Sequence, residues 1–461
     1  MPEELRQPFD NLYDFVSGGY WLRIEAVPLM CGWALLFLIC VRIFVSRDFP
    51  LASKCCLLYF CLPLYHNFAY VILGLRPNEI FGIAGCSLLL LECGKNPMIV
   101  RSPIGYTLLS FSVIAFIHAS IVGLLYPDLN PSFDILILRT VVIGKVAVLA
   151  LMVFQLSNLC RNNWDRVLDE ITRICVGVGF AGCVIYVLQF GLWNSGIITY
   201  GTFSDAGFTG MPSFGSISVE RGHFGKLMIS LFPFFLISAF SHRRWFELLL
   251  FCAVTLLNFS ASSLFFFMTY IAIYAWLFRQ ERFTSRTLTL GYFAVMLIGM
   301  SGIAFWNQYL GVFEKILYYG MSGESGGGRS AALVWEYFNV YPCGISYGGS
   351  TLRTPPGVSF EINMGLYAFI SQFSILAIPL LLGYLVLVFA CIQKSGQIQN
   401  SNVRKFLIGA VLLTPVVFFV EILWFVPTYW LPLVLTYHSL SANSTHRRET
   451  SQRNMAEGLL G

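Results

Sequence analysis

NQYLGVFEKILYYGMSGESGGGRSAALVWEYFNVYPCGISYGGSTLRTPPGVSF, residues Asn307–Phe360, is the longest polar interruption in an otherwise apolar chain. A glycine cluster (Gly323, Gly326, Gly327, Gly328) leads to Arg329 and then to a helix-like run, Ser330–Val340. Apolar residues recur along that run at Ala331, Leu333, Val334, Trp335, Phe338 and Val340. Tyr341-Pro342 should end it, because the proline ring pushes the preceding residue out of the α region. Loops this long are usually functional or disordered. The aromatics and the helical spacing predict a folded cap over a site.

Working outward, the chain has 461 residues, of which 57% are hydrophobic and 11% charged. Soluble domains carry about 25% charged residues, so this is read as an all-α polytopic membrane protein. A helix of about 20 apolar residues crosses a bilayer core roughly 30 Å thick. Such runs occur near 26–45, 55–75, 78–94, 104–126, 133–157, 172–192, 222–240, 245–260, 262–278, 287–306, 361–392, 404–424 and 425–440. Some are short or closely joined, so about 11–14 transmembrane helices are expected. They form one transmembrane domain, 1–440, with two long loops at 193–221 and 307–360, the larger partly helical. The polar tail 441–461 is expected to be disordered. The N-terminus lacks a basic segment followed by an apolar core, so no cleavable signal is expected. The thirteen cysteines include no CxxC pair and lie mostly in apolar runs, which makes them small apolar fillers.

Lysine and arginine placement sets the orientation. Alternate connections hold Arg42, Arg47, Lys54; Lys95, Arg101; Arg161, Arg166, Arg173; Arg243, Arg244; Arg279, Arg282, Arg286; and Lys394, Arg404, Lys405. With Arg447, Arg448 and Arg453 of the tail, 19 of the 29 basic residues fall on one side, which is read as cytoplasmic. Both long loops and the N-terminus then face outward.

The basic residues that break this rule are the informative ones. Arg139 and Lys145 stand inside FDILILRTVVIGKVAVLALMV (133–153), about 9 Å and about 18 Å from its outer end at 1.5 Å per residue. Either snorkels, pairs with a neighbouring carboxylate, or faces a ligand. Arg221 stands where the first long loop enters a span, with Glu220, His223 and Lys226 around it. Positions 223 and 226 share a helix face, so His223 and Lys226 could aim at one ligand; the plainer reading is an interfacial charge cluster. Arg329 follows three glycines and opens a helix-like run, where free N–H groups and the helix dipole favour anions. Neither Arg221 nor Arg329 is expected to pack in the core. No Lys-Ser/Thr follows the glycines, so this is not a nucleotide loop. Arginines held at the outer leaflet suit a lipid-linked phosphate or diphosphate, whose oxygens a guanidinium matches bidentately.

These pieces together resemble the bacterial O-antigen polymerase (Wzy) and O-antigen ligase (WaaL) superfamily. The resemblance is carried by R-G-H-F-G at Arg221–Gly225, G-G-G-R-S at Gly326–Ser330, Y-P-C-G-I-S-Y-G-G at Tyr341–Gly349, and I-N-M-G-L-Y-A-F-I-S-Q-F-S-I-L-A at Ile362–Ala377. Their order and the two outer loops cover roughly residues 170–440. Ligases usually carry a histidine before the asparagine that opens the last of these stretches; here Ile362 precedes Asn363. That departure favours the polymerase, with Glu361 the nearest ionisable replacement.

The resemblance implies a glycosyltransferase of the bacterial inner membrane whose active site faces the periplasm. Its donor and acceptor would be undecaprenyl-diphosphate-linked oligosaccharides, and a chain-length regulator protein is an expected partner; nucleic acid is not. Arg221 and Arg329, with Arg139 and Lys226, would hold the departing diphosphate, where preorganised positive charge lowers the barrier. Glu361, Glu220, Asp205 and His223 are the candidate bases for the acceptor hydroxyl. No carboxylate cluster at metal-ligand spacing is visible, so neither metal nor cofactor is expected. Phe203, Phe208, Phe214, Trp335, Tyr337, Tyr341 and Tyr347 would form a sugar-handling face or an interfacial belt. The alternatives are a ligase transferring the glycan to lipid A core, and a lipid-linked oligosaccharide transporter. Transporters commonly show repeated halves, and no internal repeat is seen.

Overall fold

The structure is a computed structural model that describes residues 22, 24–46, 48–62, 77–93, 102–129, 133–197, 214–217, 221–279, 299, 302–321, 331–347, 356–358, 362, 364–421 and 426–439. The regular structure of these residues is all helical, with fourteen α-helices and no strand among them. In chain order they are α1 (Val27–Val45), α2 (Leu51–Cys61), α3 (Pro77–Cys93), α4 (Pro103–Leu125), α5 (Phe133–Asn194), α6 (Arg221–His242) and α7 (Trp245–Leu257). There follow α8 (Ala261–Phe278), α9 (Trp306–Met321), α10 (Ala331–Val340), α11 (Gly365–Phe373), α12 (Ala377–Ser395), α13 (Ser401–Val420) and α14 (Leu431–Tyr437).

Among the described residues, six stretches are long and apolar enough to cross a membrane: Pro103–Leu125, Thr140–Asn194, Arg221–His242, Ala261–Phe278, Gly365–Ser395 and Ser401–Val420. Shorter apolar helices cover Met30–Val45, Leu51–Cys61, Asn78–Leu91 and Trp245–Leu257. Along α12, Ile378, Leu382, Leu385, Val386 and Phe389 are all exposed. They recur at i, i+4, i+7, i+8 and i+11, one unbroken apolar stripe. Such a stripe is stable against lipid and is an aggregation hazard in water. The chain is a multi-pass membrane protein.

Local signals place the helix ends. Ser102 caps α4 by accepting from the Gly105 amide at 3.3 Å, with Pro103 in the first turn. Asn400 caps α13, accepting from the amides of Asn402 and Val403 at 3.1 and 3.2 Å. The spans expected at 133–157 and 172–192 belong to two helices that follow one another without a loop, meeting at a kink at Asn163 (φ −159°, ψ 79°), and are numbered together as α5. The reason lies in the connection LSNLCRNNWDRVLDEITRIC (156–175), which has no glycine or proline to stop a helix. Asn163 restarts it as a cap, its Oδ1 accepting from the Arg166 amide at 3.3 Å. The run expected at 287–306 falls mostly outside the described residues, as does the tail beyond Ser439.

The chain divides into two compact units, Met1–Phe81 with Ile171–Ser322, and Gly82–Glu170 with Gly323–Gly461. In the first, α6 packs on α7 and α8, and α9 on α8. In the second, α12, α13 and α14 pack on one another, and α11 lies against α10 and α13.

Candidate functional site

Within the first unit, polar groups gather where α6 begins. The loop segment Phe214–Ile217 is folded against α5. The Ser216 amide donates to Gln189 Oε1 at 2.9 Å, and its hydroxyl donates to the Gly182 carbonyl at 2.5 Å. Phe214 sits in an aromatic cluster with Tyr186, Phe190 and Trp193, at ring separations of 6.2, 6.5 and 5.9 Å. Arg221 then opens α6 and is buried, only 8% exposed. This corrects the expectation that it would stay out of the core. Its helix start is clamped to the α7–α8 turn, where Asn258 Nδ2 donates to the Arg221 carbonyl at 3.0 Å.

The same turn collects two tyrosines. The Tyr186 hydroxyl donates to the Leu257 carbonyl at 2.6 Å, and the Tyr309 hydroxyl of α9 donates to the Leu256 carbonyl at 3.1 Å. The terminal carbonyls of α7, which have no partner inside their own helix, are satisfied this way. Asn258 and Ser263 are fully buried, and neither Asn258 Oδ1 nor Ser263 Oγ has a hydrogen-bond partner among the described residues. Gly225 makes the approach possible. A Cβ there would lie 1.7 Å from Ser263 Oγ, 2.5 Å from Asn258 Nδ2 and 2.6 Å from Ser263 Cβ. His223 and Lys226, on the first two turns of α6, are half-buried. Three basic residues thus stand within two turns of a helix N-terminus whose dipole also favours negative charge.

In the second unit, the described part of the larger loop is folded. The run expected at Ser330–Val340 is helix α10, Ala331–Val340, ending where Tyr341-Pro342 predicts. Leu333, Val334 and Tyr337 pack with Tyr341, Ile345, Val122, Leu129 and Ala368 in one buried cluster. The following turn is tied down on every side. His118 Nε2 lies 2.8 Å from the Cys343 carbonyl, and the Cys343 amide donates to the Tyr126 hydroxyl at 3.3 Å. The Tyr341 hydroxyl donates to the Pro356 carbonyl at 2.6 Å. Backbone amides of Ile345 and Ser346 donate to the carbonyls of Ser371 and Gln372, both at 3.1 Å. That pairing caps the C-terminal end of α11, which breaks at Ser374 (φ 52°) before α12 resumes the span. Gly344, at φ 85°, permits the contact, since a Cβ would stand 2.4 Å from the Gln372 carbonyl oxygen.

Of the residues singled out from sequence, Arg221, His223 and Lys226 are brought together on α6. Glu220, Glu361, Arg329, Asp205, Phe203 and Phe208 lie outside the described residues, and Arg139 is described only as helical backbone of α5. The sugar-face reading of the aromatics is corrected for Phe214, Tyr337, Tyr341 and Tyr347, which are buried packing residues. Trp335, at 69% exposure, is the one described member of that set that faces out. Asn258, Ser263, Tyr186 and Tyr309 were not foreseen. The signal for the first two was the polar run N-F-S-A-S-S (258–263) between two apolar stretches. Among the described residues, no group of three or more His, Cys, Asp or Glu side chains converges. No protein-family model matches this chain, and no curated protein matches it either.

Proposed function

We propose that the chain is a membrane glycosyltransferase that joins lipid-diphosphate-linked repeat units, in the manner of an O-antigen polymerase. The observation that supports this most is Arg221: a buried arginine at the head of an apolar helix, beside His223 and Lys226. Near it, Asn258 Oδ1 and Ser263 Oγ are buried acceptors without a partner among the described residues. Placing a guanidinium there is costly in a membrane protein, and intramembrane charges of this kind mark substrate sites. The sequence motifs Arg221–Gly225 and Gly326–Ser330 and the outward orientation read from the basic loops add to the reading.

In the proposed reaction, the acceptor sugar hydroxyl attacks the anomeric carbon of the donor. The new C–O bond forms as the bond to the diphosphate oxygen breaks, and the lipid diphosphate leaves with the electron pair. Arg221 and Lys226 stabilise the growing negative charge. A carboxylate or imidazole takes the hydroxyl proton; the candidates read from the sequence are Glu361, Glu220 and His223, with Arg329 and Arg139 the further sequence candidates for the diphosphate. Charge development on the leaving group calls for fixed bidentate donors, and arginine supplies them better than lysine.

The test is the surface glycan of a deletion strain. A core carrying single repeat units, restored to long chains by the intact gene, is the expected result. Absence of any attached glycan would instead assign ligation, and lipid-linked repeats trapped on the cytoplasmic side would assign transport.

A further inference from the structure

The first unit contains a second basic site, at the far end of α6 from Arg221. His242 is 21 residues on from Arg221, about 32 Å at 1.5 Å per residue, the thickness of a bilayer core. There a cleft of about 570 Å³ is lined by Arg42, Arg173, Arg244 and His242, with Glu247 its sole carboxylate. The three arginines come from three different elements: the last turn of α1, the second half of α5, and the residue that precedes α7. Glu247 pairs with Arg244 at 3.4 Å, and the lining carries three arginines to that one carboxylate. All three arginines are exposed at its rim.

The lining is graded along one helix. Arg173, Val176, Gly177 and Phe180 all line the cleft, at i, i+3, i+4 and i+7 of α5, so one face carries a basic foot and an apolar wall. That wall rises about 10 Å along the helix axis. Thr172, buried at 1% exposure, also lines the cleft, and its hydroxyl has no hydrogen-bond partner among the described residues. The orienting role of basic residues accounts for arginines at this end of the helices. It does not account for three of them facing one cleft with an apolar wall above. Lys54 illustrates the contrast: its ammonium donates to the Phe44 carbonyl at 2.7 Å and to the Ser46 carbonyl, closing the end of α1.

We propose that this cleft binds the phosphate headgroup of an anionic phospholipid, with the phosphate among Arg42, Arg173 and Arg244 and an acyl chain along Val176 and Phe180. Basic pockets between membrane helices bind such headgroups, and guanidinium matches phosphate oxygens bidentately. A free phosphate would use the arginines but leave the apolar wall without purpose.

The test uses the full chain purified in a neutral detergent and titrated with phosphatidylglycerol or with phosphatidylcholine of the same acyl chains. Bound lipid is counted by native mass spectrometry. Retention of phosphatidylglycerol over phosphatidylcholine is expected. Arg42→Gln and Arg173→Gln should each weaken it by about tenfold or more, the worth of one charged hydrogen bond. Arg279→Gln, outside the cleft, should bind as the parent does. Inorganic phosphate at the same concentration should not displace the lipid. Equal retention of both lipids, parent-like binding by the glutamine variants, or displacement by inorganic phosphate would overturn the proposal, the last assigning the cleft to a soluble anion. Circular dichroism of each variant checks its folding; Arg42→Gln, on an exposed last turn, carries the test should Arg173→Gln unfold.

Discussion

Replacing Gly225 by alanine tests whether the junction at Arg221 is built as tightly as its distances say. The added methyl would meet Ser263 Oγ at 1.7 Å and Asn258 Nδ2 at 2.5 Å. A serine rotamer change does not relieve this, because Ser263 Cβ itself would stand at 2.6 Å. Asn258 can retreat only by giving up its 3.0 Å bond to the Arg221 carbonyl. Overpacking of a buried site costs about 1–3 kcal/mol, and a buried carbonyl deprived of its partner about 1–3 kcal/mol more. The expected loss is therefore roughly 2–6 kcal/mol. Gly144→Ala is the control: it is also helical, and nothing lies within 4 Å of its added Cβ. It should be neutral or slightly stabilising, since alanine is the better helix former by about 1 kcal/mol. Denaturant unfolding of both variants in mixed micelles, followed by tryptophan fluorescence, measures the difference. If Gly225→Ala unfolds at the same denaturant concentration as Gly144→Ala, the close approach of α6 to the α7–α8 turn is wrong, and the described site with it.

Arg221→Ala should reduce chain elongation per folded molecule by roughly 10²–10³-fold, and Arg221→Lys should restore little of it, because a point charge lacks the guanidinium fork. Because Arg221 is buried, the alanine variant should also lose folded protein, so chain-length distributions are to be normalised to membrane abundance; full-length chains from Arg221→Ala would place the diphosphate elsewhere. Gly344→Ala should lower stability by about 2–5 kcal/mol, from left-handed backbone cost plus overpacking against the Gln372 carbonyl; a parent-like unfolding midpoint would refute that contact. A cysteine at position 326 should react with an impermeant maleimide from the outer face, and protection there would reverse the orientation. Purified protein should elongate lipid-linked repeats in excess EDTA; activity lost to EDTA and regained with Mg²⁺ would refute metal independence.

Much of the fold was legible because lipid enforces simple rules. Apolar length located α4, α6, α8 and α13, and Tyr341-Pro342 located the end of α10. Two features were not legible from hydropathy. The polar, charged connection within α5 reads as a loop by composition, yet helix-forming residues keep it helical on both sides of a kink at Asn163, whose side chain caps the second helix. Helix α9 lay hidden in the polar stretch from Asn307, because an amphipathic helix averages to moderate hydropathy while aligning Tyr309 and Val312 one turn apart. At the site, Arg221 was conspicuous as a charge out of place. Its burial was not, because it arises from Asn258, 37 residues away, and from the missing side chain of Gly225. Contacts of that kind depend on how helices cross, which no single helix records.

The break between α11 and α12 has a consequence for how the protein is made. A carbonyl left bare in hydrocarbon costs several kcal/mol, and those of Ser371 and Gln372 receive their donors from Ile345 and Ser346. The donors precede the acceptors in the chain. They have therefore been synthesised, and the turn that presents them has been handed across or along the membrane, before the broken span leaves the ribosome. Insertion of α11 then completes a structure whose other half is already waiting. A fragment starting at Gly365 would enter the bilayer with those carbonyls uncapped, whereas one starting ahead of Ala331 would bring its own cap.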